Sequence, residues 1–212
     1  MLTTANIDTS NTHENNTKER GPWMLTGQGN QFFPLDPKVT DFRIEEIAGS
    51  LSKTCRYNGQ LPGNKFYSVA EHCTILSKYF LRNKTFSKEN RIFFAQWAWA
   101  HDGAESYIGD MIRPIKWLFP EFIKIERNIE SFYFYDYLGL SGTFPDEVKH
   151  ADTIICNDER IQMWHGVRNS QGELVSDKYD YDTREQLGVK INCWGHKKAK
   201  KEFLKMYDRL FK

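Results

Sequence analysis

Long apolar runs are missing from this chain, and so is any close pairing of cysteines. No stretch approaches the length needed to span a bilayer, and residues 1–20 lack the apolar core of a secretory signal, so neither a membrane-spanning nor a secreted protein is expected. Cys55, Cys73, Cys156 and Cys193 stand far apart without a C-x-x-C pair, which argues against a zinc knuckle or a disulfide framework and fits a reducing cytoplasm. An excess of one charge is missing too. Lys and Arg number 29 against 28 Asp and Glu, leaving +1, so no broad field is available to recruit a membrane or to follow a long nucleic acid. Basic groups that matter must then be local, which suits a small polyanion. There is no internal repeat, P-loop or dinucleotide fingerprint, and Gly27-Gln28-Gly29 is too short to cradle a phosphate.

What is present is enough apolar material for one substantial core: 40% of the 212 residues are hydrophobic and 15% aromatic. Residues 1–20, rich in Thr, Asn, Ser and Glu, have too little apolar surface to fold alone and read as a mobile polar tail, with a single domain over 21–212. From Gly21 the aromatic and turn residues of W-M-L-T-G-Q-G-N-Q-F-F-P predict a short hairpin or extended strip laid on helices. Helical spacing then appears in Ile44, Ile47, Ala48 and Leu51, and around His72. It recurs in an almost wholly apolar Ile92 to Trp99 that should be central and buried. Pro114 interrupts the chain after Asp110, and Phe122, Ile125, Ile129, Phe132 and Tyr133 form an amphipathic stripe for the core or a partner subunit. A helix through Asp152 reaches about Trp164, residues 166–188 are a polar excursion, and Ala199, Phe203, Met206 and Leu210 mark a closing helix. The fold class is all-α. The lysines at 197, 198, 200 and 201 read as a solubilising face, since no aromatics accompany them as RNA contacts would require.

Chemistry concentrates in H-D-G-A-E-S-Y-I-G-D at 101–110. His101 and Asp102 end an apolar run and offer an imidazole nitrogen and a carboxylate oxygen from neighbouring positions, a pair suited to a divalent ion: Zn, Mn or Co, with Fe or Mg as further candidates. Glu105, one turn beyond His101, shares its face and can reach a substrate or water held there. More ligands have to come from other helices. His72 follows Ser68 and Glu71, a capping-box start, and lies beside the stripe of Val69, Cys73, Leu76 and Phe80. Asp152 shares the buried stripe of Val148, Ala151 and Ile155, where an aspartate is costly unless a cation meets it. The bland alternatives are a hydrogen-bonded core histidine and an ion pair of Asp152 with an arginine such as Arg160. Three separate apolar helices each carrying a metal-capable residue make coincidence the harder explanation.

With C-R-Y-N-G before Y-S-V-A-E-H, then H-D-G-A-E-S-Y-I-G-D-M-I-R-P-I-K, then V-K-H-A-D followed by E-R, the chain from about Gly27 onward resembles the HD-domain metal-dependent phosphohydrolases. It looks like the branch of bacterial 5′-deoxynucleotidases, prophage-encoded relatives and phage dATP triphosphohydrolases. The resemblance implies an HD-domain helical bundle in which His72, His101, Asp102 and Asp152 hold the metal and Glu105 activates or orients the attacking water. By the same resemblance Arg56 binds phosphate, Asp110 lies near the sugar, and Tyr57 stands where related enzymes often place Trp to shape the sugar and base pocket.

The chemistry agrees. Phosphate ester hydrolysis needs charge neutralised on the phosphoryl oxygens and a nucleophile available near neutral pH, and one divalent ion supplies both. Arg56 offers a planar, permanently charged fork to phosphate, although an ordinary surface arginine is the plain alternative. Lys116 can add charge near a larger substrate, or simply be solvated. The expected activity is cleavage of the 5′ phosphoester of (deoxy)nucleotides, as a 5′-deoxynucleotidase or a dNTP triphosphohydrolase, in a homo-oligomer. The alternatives are a non-catalytic nucleotide sensor or assembly protein that keeps the metal for stability and, last, a metal-dependent oxygenase, for which ligands to a second iron are not evident.

Overall fold

The computed structural model describes residues 19–164, 167–176 and 185–212. Among them helices dominate. Strands occur only as two short antiparallel pairs, so the all-α expectation holds. The tail expected over 1–20 lies outside the described residues up to position 18. Arg20 is anything but loose: its Nε is 3.1 Å from Asp36, it also pairs with Asp41, and its guanidinium lies 4.0 Å over the Phe33 ring. The expected hairpin forms from β1 (Met24–Leu25) and β2 (Gln31–Phe32), with Met24 opposite Phe32. Its turn uses Gly29 at φ +84°, and Glu46 on the first helix pins it by accepting from Thr26 Oγ1, Gln28 N and Asn30 Nδ2.

The helices are α1 (Ile44–Leu51), α2 (Val69–Arg82), α3 (Lys88–Ala100), α4 (Glu105–Ile108), α5 (Arg113–Lys116), α6 (Pro120–Ser131), α7 (Asp146–Met163) and α8 (His196–Phe211). Between α7 and α8, β3 (Val167–Arg168) pairs with β4 (Leu174–Ser176), so the polar excursion carries a small hairpin of its own; residues 165–166 and 177–184 lie outside the described part. Helix α3 runs through the middle of a continuous apolar cluster to which α1, α2, α6, α7 and α8 contribute. Trp97, Ala98, Trp99 and Ala100 are fully buried, whereas Ile92 is 39% exposed: burial begins at Phe94, because the first turn of α3 projects beyond its neighbours. Ala199, Phe203, Met206 and Leu210 seat α8, and Ile129 and Tyr133 turn the α6 stripe into the core, the continuation of α6 widening into a π-helical turn over Phe132–Tyr137.

Two local readings change. Ser68 caps α2 by accepting from Glu71 N at 3.2 Å, but the Glu71 carboxylate does not close a capping box. It reaches instead to the backbone N–H groups of Asn192 (2.8 Å) and Trp194 (2.5 Å), fastening the strap that leads into α8. The other side of that strap is hooked to α7 by Asp158, which accepts from Leu187 N and Val189 N. Pro114, expected to interrupt a helix, instead sits in the first turn of α5, where its missing N–H costs nothing.

Candidate metal centre and pocket

Three chain segments meet where the apolar core ends. His72 comes from the first turn of α2, His101 caps the C-terminus of α3 with Asp102 next to it, and Asp152 faces them from α7. The Nε2 atoms of His72 and His101 are 3.3 Å apart. Asp102 Oδ2 lies 3.1 Å from His101 Nε2 and 3.8 Å from His72 Nε2. Asp152 Oδ1 lies 3.0 Å from His72 Nε2 and 3.6 Å from His101 Nε2. One ligand atom from each of His72, His101 and Asp102 lies within 4.8 Å of the others, so these three can hold a metal ion, with Asp152 in contact with both imidazoles.

The outer edges of both rings fit that use. His72 Nδ1 is 3.0 Å from Glu159 Oε1 and His101 Nδ1 is 2.9 Å from the Ala98 carbonyl. Each acceptor draws the ring proton to Nδ1, which leaves the Nε2 lone pairs aimed at one another and at the carboxylates. Two lone pairs facing each other at 3.3 Å repel, and a metal ion between them or a proton on one ring relieves that. The titration of the cluster tells the same story. Burial opposes charge on His101, yet Asp102, with Cys73 and Asp152, holds its pKa well above the ordinary value. Burial likewise disfavours ionised Asp102, but the two imidazoles keep its carboxyl down at about 2, and they hold Asp152 well below the usual range. The site is built to keep negative oxygen beside positive charge.

Gly103 explains how the chain turns from Asp102 to Glu105: a Cβ there would meet Tyr133 Cε1 at 2.0 Å, so only glycine lets this segment lie against that buried ring. Glu105 opens α4 inside a cavity of about 600 Å³ that also exposes Asp102 and Asp152. Its Oε2 is buried without a hydrogen-bond partner among the described residues, and burial, reinforced by Asp102 and Asp110, holds its carboxyl well above the usual carboxylate range. Asp110 lines the same cavity, with its pKa also raised by burial.

Arg56 and Tyr57 stand on a tight turn fixed by Arg56 N donating to Tyr67 O at 2.9 Å. Tyr57 and Asn58 hold φ of 58° and 51°, left-handed backbone that side chains rarely adopt, a strain of the kind found at binding sites. Arg56 is no ordinary surface arginine. Its Nη1 is 3.5 Å from Asp102 and its Nε 3.6 Å from Glu159, while it still lines the cavity. Burial works against its charge, but Glu159 and Asp102 hold its pKa well above the usual value. Tyr57 donates its hydroxyl to Glu159 and sets its ring edge-on to Trp164, centroids 4.9 Å apart. Lys116 lines the cavity as well, but it is neither free nor merely solvated, since its Nζ is 2.5 Å from Glu126.

Two residues that sequence reasoning left without a role are central. Glu159, fully buried, ties His72, Arg56 and Tyr57 together, and the cation that meets Asp152 on its far oxygen is Arg113 (3.0 Å), not Arg160. A signal for Glu159 existed: it follows Asp152 by seven residues, two turns along the same helix face. Arg113 had none, because it arrives from a different segment.

Among the described residues no helix is long and apolar enough to cross a membrane, and all four cysteines are free. No family model matches the chain. It is similar to an uncharacterized protein of Rhodobacter capsulatus, 29% identical over 175 residues that cover 80% of this chain and 86% of that protein. It is also similar to the uncharacterized protein YfdR of Escherichia coli strain K12, 33% identical over 141 residues that cover 66% of this chain and 72% of YfdR. With a third of the aligned positions identical across most of YfdR's length, the chain belongs to the same family as YfdR.

Proposed function

We propose that this protein is an HD-type, metal-dependent phosphohydrolase that cleaves the 5′ phosphoester of (deoxy)nucleotides. The observation that carries the reading is the convergence of His72, His101, Asp102 and Asp152, with both outer imidazole nitrogens held by acceptors, beside a buried carboxyl whose Oε2 has no partner. In this reading those four residues hold a divalent ion, Zn, Mn, Co, Fe or Mg. When bound, such an ion neutralises phosphoryl charge and makes a proton of water easier to remove.

The protein's own groups supply the rest. Arg56 presents its fork to the phosphoryl oxygens from the cavity wall, oriented by Glu159 and Asp102. Glu105 Oε2 takes a proton from the attacking water, burial and the neighbouring Asp102 and Asp110 strengthening its hold on that proton. Water oxygen bonds to the phosphorus on the 5′ oxygen, the bond from that phosphorus to the 5′ oxygen breaks, and the nucleoside leaves as the alcohol, its 5′ oxygen taking up the proton that Glu105 removed from the water. Asp110 meets sugar hydroxyls, and the Tyr57 ring, locked by its hydroxyl and by Trp164, bounds the sugar and base.

The test is incubation of the purified protein with dAMP, dATP and the other nucleotides in the presence of Mn, Co or Zn, with identification of the phosphate species released. Orthophosphate from dAMP marks a nucleotidase and tripolyphosphate from dATP a triphosphohydrolase. Failure to release either from any nucleotide with any of the metals overturns the reading.

A further inference from the structure

We propose that the cavity contains a second anion subsite, built on Arg160 of α7 and Arg168 of β3, that takes the phosphate groups beyond the one attached to the 5′ oxygen. The ligand class is therefore a nucleoside di- or triphosphate. This inference rests on the phosphohydrolase reading for the identity of the first phosphate.

On one face of α7, Asp152, Cys156 and Arg160 recur every four residues and line the cavity, joined by Trp164 just past the end of the helix. By helical rise Arg160 stands about 12 Å along the axis from Asp152, within reach of a ligand whose first phosphate is at the metal ligands once the length of the arginine side chain is counted. Arg160 Nε is buried and has no hydrogen-bond partner among the described residues, although a guanidinium N–H withdrawn from water without an acceptor is costly. Arg168, exposed, spends Nη1 on the Gly172 carbonyl at 2.8 Å and brings a second positive charge to the cavity wall. Neither cation is paired with a carboxylate among the contacts described, unlike Arg56, Arg113 and Lys116, each of which faces one.

Elsewhere on the wall the acids Asp102, Glu105, Asp110 and Asp152 stand beside Arg56, Arg113 and Lys116, cations that already face carboxylates. Lys116 is claimed by Glu126 and stands among Glu105 and Asp102, with Asp110 also on the cavity. That side suits sugar hydroxyls and repels additional phosphates. A monophosphate is served by Arg56 and the metal ligands alone and gives Arg160 and Arg168 nothing to meet. A polyphosphate tail gives both a charge-assisted partner.

The test measures binding and turnover separately. Inorganic tripolyphosphate and orthophosphate are titrated calorimetrically into the metal-loaded protein and into Arg160→Gln and Arg168→Gln, each checked by thermal melting to be folded. Loss of a charge-assisted contact should weaken tripolyphosphate about tenfold in each variant, well beyond any change for orthophosphate, and should lower the ratio of dATP to dAMP turnover in step. Arg168 is exposed, so its variant stays informative if Arg160→Gln does not fold. Tripolyphosphate affinity equal to wild type in both variants overturns the subsite, even where dAMP is hydrolysed and the phosphohydrolase reading stands. Variant-sensitive tripolyphosphate binding without hydrolysis of any nucleotide supports the subsite and removes the catalytic reading instead.

Discussion

Helix α3 divides two unlike neighbourhoods within three residues. Trp99 stacks on Phe203 of α8 with centroids 4.3 Å apart and donates its indole N–H to the Phe203 carbonyl at 3.1 Å, a contact of broad apolar faces among many others. His101, half a turn on, sits in a network where each group has two or three charged partners and none is spare. Apolar contacts are many, individually weak and mutually replaceable, so their loss is felt as stability. A buried charge network contributes little net stability, yet removing one member leaves the others uncompensated. The first neighbourhood holds the fold and the second holds the candidate metal centre, and the comparison can be broken from either side.

The largest effect belongs to the network. Asp102→Ala should abolish bound metal and nucleotide hydrolysis together, read by metal analysis and phosphate release; retained metal at wild-type content would remove Asp102 from the ligand set. Glu105→Ala should separate the two readouts, keeping metal while turnover falls at least about a hundredfold, as for loss of an acid–base group. Unchanged turnover would take Glu105 out of the chemistry.

From the apolar side, Phe203→Ala should cost about 3–5 kcal/mol in denaturant unfolding while leaving metal content per folded molecule as in wild type. Parallel loss of metal would show that the two neighbourhoods are coupled through α3. Glu159→Gln sharpens the contrast, because it keeps volume but withdraws the charge behind His72 and Arg56. Metal affinity should weaken about 10–100-fold, measured by competition with a chelator, and an unchanged affinity would make Glu159 merely structural.

The smallest effect is a pH dependence at the border of the two regions. Burial, and then the neighbouring Glu126 carboxylate, lifts the Glu130 pKa from 4.5 to about 7. Between those values the folded protein keeps a proton that the unfolded chain has released, so Glu130 lowers stability progressively as pH rises from 4.5 to 7 and no further above that. Glu130→Gln should accordingly raise the melting temperature at pH 8 relative to wild type more than at pH 5. Equal shifts at both pH values would place Glu130 in ordinary solvent.

Much of this was legible from the chain. The spacing around His72, the His101-Asp102 pair and the inward Asp152 each announced a metal-capable residue on an apolar helix, because a polar group on a buried stripe is costly without a partner. The stripes of α1, α2 and α8 and the N-terminal hairpin followed from periodicity and turn residues. What could not be read was partnership across segments. Glu71 announces a capping box locally, yet the strap that claims its carboxylate lies more than a hundred residues on. Lys116 reads as a free cation until α6 folds back and sets Glu126 against it.

The sequence by itself determined which helices form, which faces they bury and which side chains had to be satisfied inside, since periodicity, capping and desolvation act on residues near one another in the chain. Tertiary structure alone decided that Glu159 stands behind both His72 and Arg56, that Arg113 rather than Arg160 meets Asp152, and that Arg160 is left facing a cavity. Those outcomes depend on how α2, α5 and α7 are placed against one another. Electrostatic pairing is settled by distance in space, which no local pattern encodes.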